Sequence, residues 1–273
     1  MKASELERFI EKLGKKGSVL GLESMLALLE RMENPHLEHN TIHIAGTNGK
    51  GSVLAFVSTI LQCAGYRVGR YCSPVIFDYR EKIQVNQKSI SQSALLRGME
   101  KICDITEQME AEGMTTPTLF EAETALAFWY FKEKKCDFIV VETGLGGEQD
   151  ATNVFAAPLV NVFTSISMDH MNYLGNTLSR IANVKAGIIK MGAEVVSAVQ
   201  QEEVKQVLDR KAAEQKTKVN YASEPKQVTV KWNKQTFSYG TYKKLEISLA
   251  GSWQPENAGV AIETIEALRR KGF

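Results

Sequence analysis

Residues 41–52 constrain this chain more than any other segment. Thr41–Ala45 is a short β-branched run, and Gly46-Thr47-Asn48-Gly49-Lys50-Gly51-Ser52 follows it directly. Ser52–Ala64 then reads as a helix. Strand, glycine-rich turn and helix in that order can cradle phosphates, because a helix start presents unpaired N–H groups and the positive end of its dipole. Glycines let the backbone turn those N–H groups inward without a Cβ clash. Lys50 would reach the β- and γ-phosphates, and Ser52 would offer its hydroxyl to magnesium. The general Walker spacing is not met: its first glycine would fall at Ile44, and Gly51 stands between the lysine and the serine. The competing reading is a plain strand-to-helix turn with a solvated lysine. It accounts less well for three glycines, a lysine and a serine in this context.

The rest of the chain alternates in the same way. Leu6, Phe9, Ile10 and Leu13 recur at helical spacing, as do Leu22, Met25, Leu26, Leu29 and Met32, with a stop near Asn34-Pro35. Strands are expected at Tyr66–Tyr71, Phe138–Val141, Leu159–Ile166 and Glu194–Val199. Lys82–Val85 and Ser89–Ile90 read as a hairpin about Asn86-Gln87. Helices are expected at Ser91–Glu112, Leu119–Lys134, Thr177–Lys190, Glu202–Ala213 and Pro255–Arg270. The pattern predicts a mainly parallel sheet flanked by helices, an α/β fold. Val228–Trp232, Thr236–Tyr239 and Leu245–Leu249 predict a small β meander near the C-terminus, turning at Asn233-Lys234-Gln235 and at Gly240. Ligands of such sheets bind beyond the carboxyl ends of the strands. The glycine loop, Glu142-Thr143-Gly144 and Ser167–His170 each follow an expected strand, so all three are expected on one rim.

Bulk composition narrows the partners. A formal net charge of +1 over 273 residues gives no sign of a nucleic-acid surface. The N-terminus lacks the apolar core of a signal peptide, and no run of about 18 apolar residues exists to cross a membrane. Cys63, Cys72, Cys103 and Cys136 form no CxxC pair and read as buried free thiols of a reducing compartment. A cytoplasmic location is the expectation.

Seven segments carry a resemblance. They are GLESMLALLERMENP at 21–35, HIAGTNGKGS at 43–52, YCSP at 71–74, PTLFEAETALAF at 117–128, VETGLGGEQDATNV at 141–154, SISMDHMNYLGNTLSRIANVKAGIIK at 165–190 and LAGSWQPENA at 249–258. In this order they resemble the folylpolyglutamate synthase/dihydrofolate synthase family of the Mur ligase superfamily. The resemblance implies a P-loop, Mur-ligase-type central domain over residues 1–273. It also implies an ATP-dependent ligase that phosphorylates a folate or pteroate carboxylate, after which the amino group of L-glutamate displaces phosphate. ATP and Mg2+ are the implied cofactors, and a monomer is expected.

By the same resemblance, Gly46–Ser52 hold the phosphates, and Gln254 and Asn257 contact the adenine side. Ser52, Ser73 and Glu142 lie near a first magnesium, and His170 and Lys185 near a second metal. Lys50, Glu142, His170 and Lys185 form the implied catalytic set. The family often carbamylates the lysine matching Lys185, which turns an amine into an anionic oxygen ligand suited to a hard cation. Each residue has a plainer alternative. Glu142 could cap a helix, Asp169 and His170 could be a local turn pair, and Lys185 a solvated surface lysine. Gln254 and Asn257 could be polar first-turn residues.

The chain departs from the family pattern at Val75, Lys82, Glu148, Val184 and Trp253, where the family has His, Arg, Arg, Glu and His. It stops at Phe273, just after the helix expected to precede the family's C-terminal glutamate-ligase domain. These departures motivate a second reading, a nucleotide-binding paralogue or fragment without ligase activity.

Overall fold

The computed structural model describes residues 1–17, 19, 21–75 and 77–273. In chain order the elements are α1 (Ala3–Gly14), α2 (Glu23–Arg31), β1 (Asn40–Ala45), α3 (Lys50–Cys63), β2 (Val68–Tyr71), β3 (Ile83–Val85) and β4 (Lys88–Ser89). Next come α4 (Gln92–Ala111), α5 (Leu119–Glu133), β5 (Phe138–Glu142), β6 (Val160–Phe163), α6 (Met171–Leu174), α7 (Leu178–Ala186) and β7 (Glu194–Ser197). The chain ends with α8 (Glu202–Glu214), β8 (Val219–Tyr221), β9 (Lys226–Lys231), β10 (Lys234–Tyr239), β11 (Tyr242–Ile247) and α9 (Gln254–Arg270). Strands β1 to β8 are mainly parallel and flanked by helices, and β9–β11 form an antiparallel meander, as the sequence predicts. All four cysteines are free thiols, but only Cys136 is buried as expected; Cys72 and Cys103 are half-buried and Cys63 is exposed.

The chain divides into two compact units. The first comprises residues 1–41, 61–145 and 149–156. Its strands run in the order β4-β3-β2-β5. β2 and β5 are parallel, and the short β3–β4 hairpin adds antiparallel at the edge. Helix α5 is apolar on almost every side, and an all-round apolar helix belongs in a core. It is started by a capping box: the Thr118 backbone N–H and hydroxyl both donate to Glu121 at 2.7 Å, and the Glu121 N–H returns a bond to the Thr118 hydroxyl at 3.3 Å. Helices α1, α2 and α4 lay their apolar stripes into the same cluster. In α2 the stripe is Met25, Leu28, Leu29 and Met32, whereas Leu26 is 46% exposed. The spacing rule had placed Leu26 inside. Five consecutive apolar positions, Met25 to Leu29, leave its phase ambiguous.

The second unit comprises residues 42–60, 146–148 and 157–273. Its parallel strands are ordered β1-β6-β7-β8. Ile42, Ile44, Val160, Val162, Val195 and Val196 are fully buried, the continuous apolar runs of a sheet covered on both faces. β8 is a three-residue edge strand that the sequence reading missed, since Val219-Asn220-Tyr221 is only half-buried and follows Lys216 and Lys218. The first meander turn is Trp232-Asn233 rather than Asn233-Lys234-Gln235, because Lys234 and Gln235 already pair with Lys231 and Val230. Helix α7 ends at Ala186, four residues short of the predicted end.

Candidate functional site

In the second unit, β1 delivers the chain into the glycine loop and α3 leaves it. Gly46 has φ +152° and Gly49 φ +91°, the region that disfavours L side chains. A Cβ at Gly46 would lie 1.9 Å from Thr164 Oγ1, and one at Gly49 would lie 2.4 Å from Asn257 Oδ1. Thr164 is fully buried, and its Oγ1 has no hydrogen-bond partner among the described residues. Both glycines are therefore fixed by close approach as well as by backbone conformation.

The loop is tied to the segment after β6. Thr47 N and Asn48 N donate to Ser165 O at 2.8 and 3.2 Å. The Thr47 hydroxyl donates to Ser167 O at 3.1 Å and accepts from Ser167 N at 3.2 Å. The amides of Thr47 and Asn48 thus brace the loop. The N–H groups left facing outward belong to the first turn of α3 at Lys50, Gly51 and Ser52, since the first intrahelical donor is Val53 N to Gly49 O at 2.9 Å.

Two lysine amines meet over this loop. Lys50 Nζ donates to Gly46 O at 3.2 Å and to Thr47 O at 3.4 Å. Lys185 Nζ, from α7, donates to the same Gly46 O at 2.8 Å. Lys185 is buried, only 3% exposed, contrary to what a helix lysine ordinarily does. Glycine makes this possible. The backbone at Gly147 crosses α7 so closely that a Cβ there would stand 2.7 Å from Lys185 O, and Glu148 N donates to Val184 O at 2.9 Å.

The start of α9 closes the other side. Gln254 Nε2 donates to Ser52 Oγ at 3.1 Å, and Asn257 Nδ2 donates to Gln254 Oε1 at 3.2 Å. A cavity of about 770 Å³ adjoins the loop. Asn48, Gly49 and Ser52 line it, together with Ser223 and Glu224 beyond β8 and with Trp253, Gln254 and Glu256. Burial, reinforced by the charge of Glu224, raises the Glu256 carboxyl above its usual range.

His170 lies in the same unit, at the N-cap of α6 with φ +44°. Its side chain is half exposed and sits 3.6 Å from Asp169, a local pair. The glycine loop and the Ser165–Ser167 segment do share one rim of this unit.

Ser73 and Glu142 belong to the first unit. Parallel register pairs Tyr71 with Val141, so Ser73, just beyond β2, and Glu142, the last residue of β5, stand at the same strand end. Glu142 is buried, and the Cys72 thiol is pushed up to about 11 by burial and then by the Glu142 charge. Beyond β5, Asp150 organises the following loop. It accepts from Leu145 N at 2.7 Å, Thr152 N at 3.0 Å and the Thr152 hydroxyl at 2.5 Å, while burial raises its pKa. Lys82 forms a 2.6 Å ion pair with the buried Glu123. These two structural roles of Asp150 and Lys82 were not read from the sequence.

Among the described residues no three His, Cys, Asp or Glu side chains assemble into a metal cage. Magnesium seldom needs one: it keeps waters and binds through one or two carboxylates and the phosphates of its partner nucleotide. Hydroxyl, carboxylate and outward N–H groups of the kind present here suit that cation and a polyphosphate.

Residues 44–265 match the Mur ligase middle domain. A dihydrofolate synthase/folylpolyglutamate synthase from Bacillus subtilis is 41% identical over 267 residues, 93% of this chain and 60% of that protein. The apo form of L. casei FPGS superposes with a TM-score of 0.94 at 30% identity, over 99% of this chain and 68% of that one. An FPGS–AMPPCP–folate complex gives 0.92 at 31%, again over 99% and 68%. This chain spans about 60% of the length of the curated relatives it matches first. It belongs to the Mur ligase superfamily and, within it, to the folylpolyglutamate synthase/dihydrofolate synthase family.

Proposed function

We propose that this chain is the ATP-binding part of an amide-bond ligase that joins L-glutamate to a folate or pteroate carboxylate through an acyl phosphate. The observation that carries the reading is the convergence of Lys50 and Lys185 amines on the Gly46 carbonyl, over a loop that opens α3. The Lys50 cation and a helix start together meet the demand of a polyphosphate, while the buried Lys185 stands beside them for the metal. The fold's similarity to a folate- and AMPPCP-containing relative supports the substrate class.

The residues then take these roles. Lys50, with the α3 N–H groups, holds the β- and γ-phosphates and offsets charge that builds on the transferring group. The cavity beside Gln254 and Asn257 takes the nucleoside. In the second unit Ser52 supplies an oxygen ligand to magnesium, and His170 and Lys185 stand at a second metal; in the first unit Ser73 and Glu142 offer oxygens of the kind magnesium takes. Magnesium, when bound, screens the repulsion between ATP and the carboxylate. We assign Lys185 as a carbamate: its amine takes up carbon dioxide and releases a proton. The 2.8 Å bond to Gly46 O needs one N–H, which a carbamate retains. A cytoplasmic location accords with this role, and no helix among the described residues is long and apolar enough to cross a membrane.

The test supplies ATP, magnesium, L-glutamate and tetrahydrofolate or dihydropteroate to this chain and to any longer natural product of its gene. Amide product with release of ADP and phosphate is expected of the enzyme. Tight ATP binding with no product from the natural chain would leave a nucleotide-binding paralogue.

A further inference from the structure

Ser52 and Gln254 are 202 residues apart in sequence, yet one hydrogen bond joins them at 3.1 Å. The direction of that bond follows from its neighbours. The same Gln254 Nε2 faces the Ala250 carbonyl at 3.3 Å, and a carbonyl only accepts. The other end of the amide, Oε1, receives Asn257 Nδ2 at 3.2 Å. Both ends are thereby fixed, and the atom facing Ser52 is the NH2 group. Ser52 must accept. Its own proton therefore points away from Gln254, and one lone pair remains for another partner.

That state suits a cation. A hydroxyl binds a cation through a lone pair with its proton turned aside, whereas a free hydroxyl rotates and can present the proton instead. Partners behind a metal ligand commonly orient it and tune its affinity. Gln254 stands at the first position of α9, held by the helix and by Asn257, so it forms a rigid backing for Ser52. The resemblance had placed Gln254 on the adenine side of the nucleotide only.

We propose that Gln254 is a positioning residue that sets the Ser52 hydroxyl for magnesium, so that the start of α9 controls the metal dependence of nucleotide binding. This rests on the ATP–magnesium reading above and names a device within it. It makes a distinctive demand. Loss of Gln254 should weaken the help that magnesium gives to ATP by more than it weakens the metal-free contact.

The experiment is calorimetric titration of the full chain with ATP, with and without magnesium, for wild type, Gln254→Met, Gln254→Leu and Ser52→Ala. Urea midpoints confirm that each variant is folded, and the unbranched methionine variant covers the case in which leucine packs poorly. The factor by which magnesium tightens ATP binding should fall about ten-fold in the Gln254 variants, over and above any loss of metal-free affinity. Neither Gln254 change should reduce that factor further in the Ser52→Ala background. Equal losses with and without magnesium would assign Gln254 to the nucleotide alone and overturn the proposal while leaving the ATP reading standing. A wild-type chain whose ATP affinity ignores magnesium would overturn the functional reading, and this proposal with it.

Discussion

Gly46→Ala separates two costs that the structure predicts for the glycine loop. The first is conformational: an alanine at φ +152° pays roughly 1–3 kcal/mol of backbone strain. The second is steric. The new Cβ would sit 1.9 Å from Thr164 Oγ1, 3.0 Å from its Cβ and 3.2 Å from its backbone carbon. Thr164 is fully buried and cannot swing into solvent, so the clash adds about 1–3 kcal/mol of overpacking. The sum, about 2–6 kcal/mol, is a large part of the 5–15 kcal/mol typical of a whole protein. Gly65→Ala is the control. Its φ is +95°, yet nothing lies within 4 Å of the added Cβ, so it pays strain alone. Urea unfolding followed by circular dichroism should show the larger loss for Gly46→Ala. Thr164→Ala should rescue part of it, because the 1.9 Å contact disappears and the 3.0 and 3.2 Å contacts remain. Equal destabilisation of the two glycine variants, or no rescue, would refute the account.

Lys50→Ala should weaken ATP binding about ten- to a hundred-fold, the value of one charge-assisted contact at roughly 1.5–3 kcal/mol, read by calorimetry; unchanged affinity would remove Lys50 from the phosphate site. Stability should fall on acidification, because burial depresses His36 to about 4 and His43 to about 3 from a usual 6.5. Below pH 6.5 the unfolded chain takes up protons that the native one refuses, so each histidine removes about 2 kcal/mol by pH 5, and His43→Asn should flatten the slope measured in urea. Val184→Glu should destabilise the native chain, and more so than the same change made together with Glu148→Arg. A double-mutant cycle should return a coupling of about 0.5–1 kcal/mol, and zero coupling would deny that the two side chains interact.

The alternation of strand and helix was legible because it depends on short-range patterning: β1, α3, β5 and α5 follow from runs of apolar residues and their punctuation. Thr118 and Glu121 even announce their capping box by spacing. What escaped depends on distant partners. β8 is a strand because Val195, Val196 and Ser197 offer it a free edge, not because of its own three residues. The backbone amides of Thr47 and Asn48 read as ligand-facing from a glycine-rich string, and only the position of Ser165 turns them inward. Lys185 looked like a surface residue by helical context. Its burial comes from Gly146-Gly147 and from the carbonyl of Gly46, both far away in sequence.

The same long-range contacts change how the departures from the family pattern should be weighed. Read along the chain, Glu148 and Val184 are separate blemishes, one reversing a charge and one deleting a carboxylate. In the fold they are neighbours: Glu148 N donates to Val184 O at 2.9 Å, and a Cβ on Gly187 would touch the Glu148 side chain at 2.4 Å. The family's Arg and Glu at these places would be an opposite-charge pair. Changing the arginine alone would leave two carboxylates on backbones in direct contact, where like charges that face one another repel. Changing both removes the repulsion. The double-mutant cycle at Glu148 and Val184 therefore decides whether the two substitutions act as one exchange or as two. Lys82 fits the same logic, since it keeps a cation against the buried Glu123 where the family has arginine. The Lys50, Lys185 and Gly46 constellation stands untouched by any of the five departures.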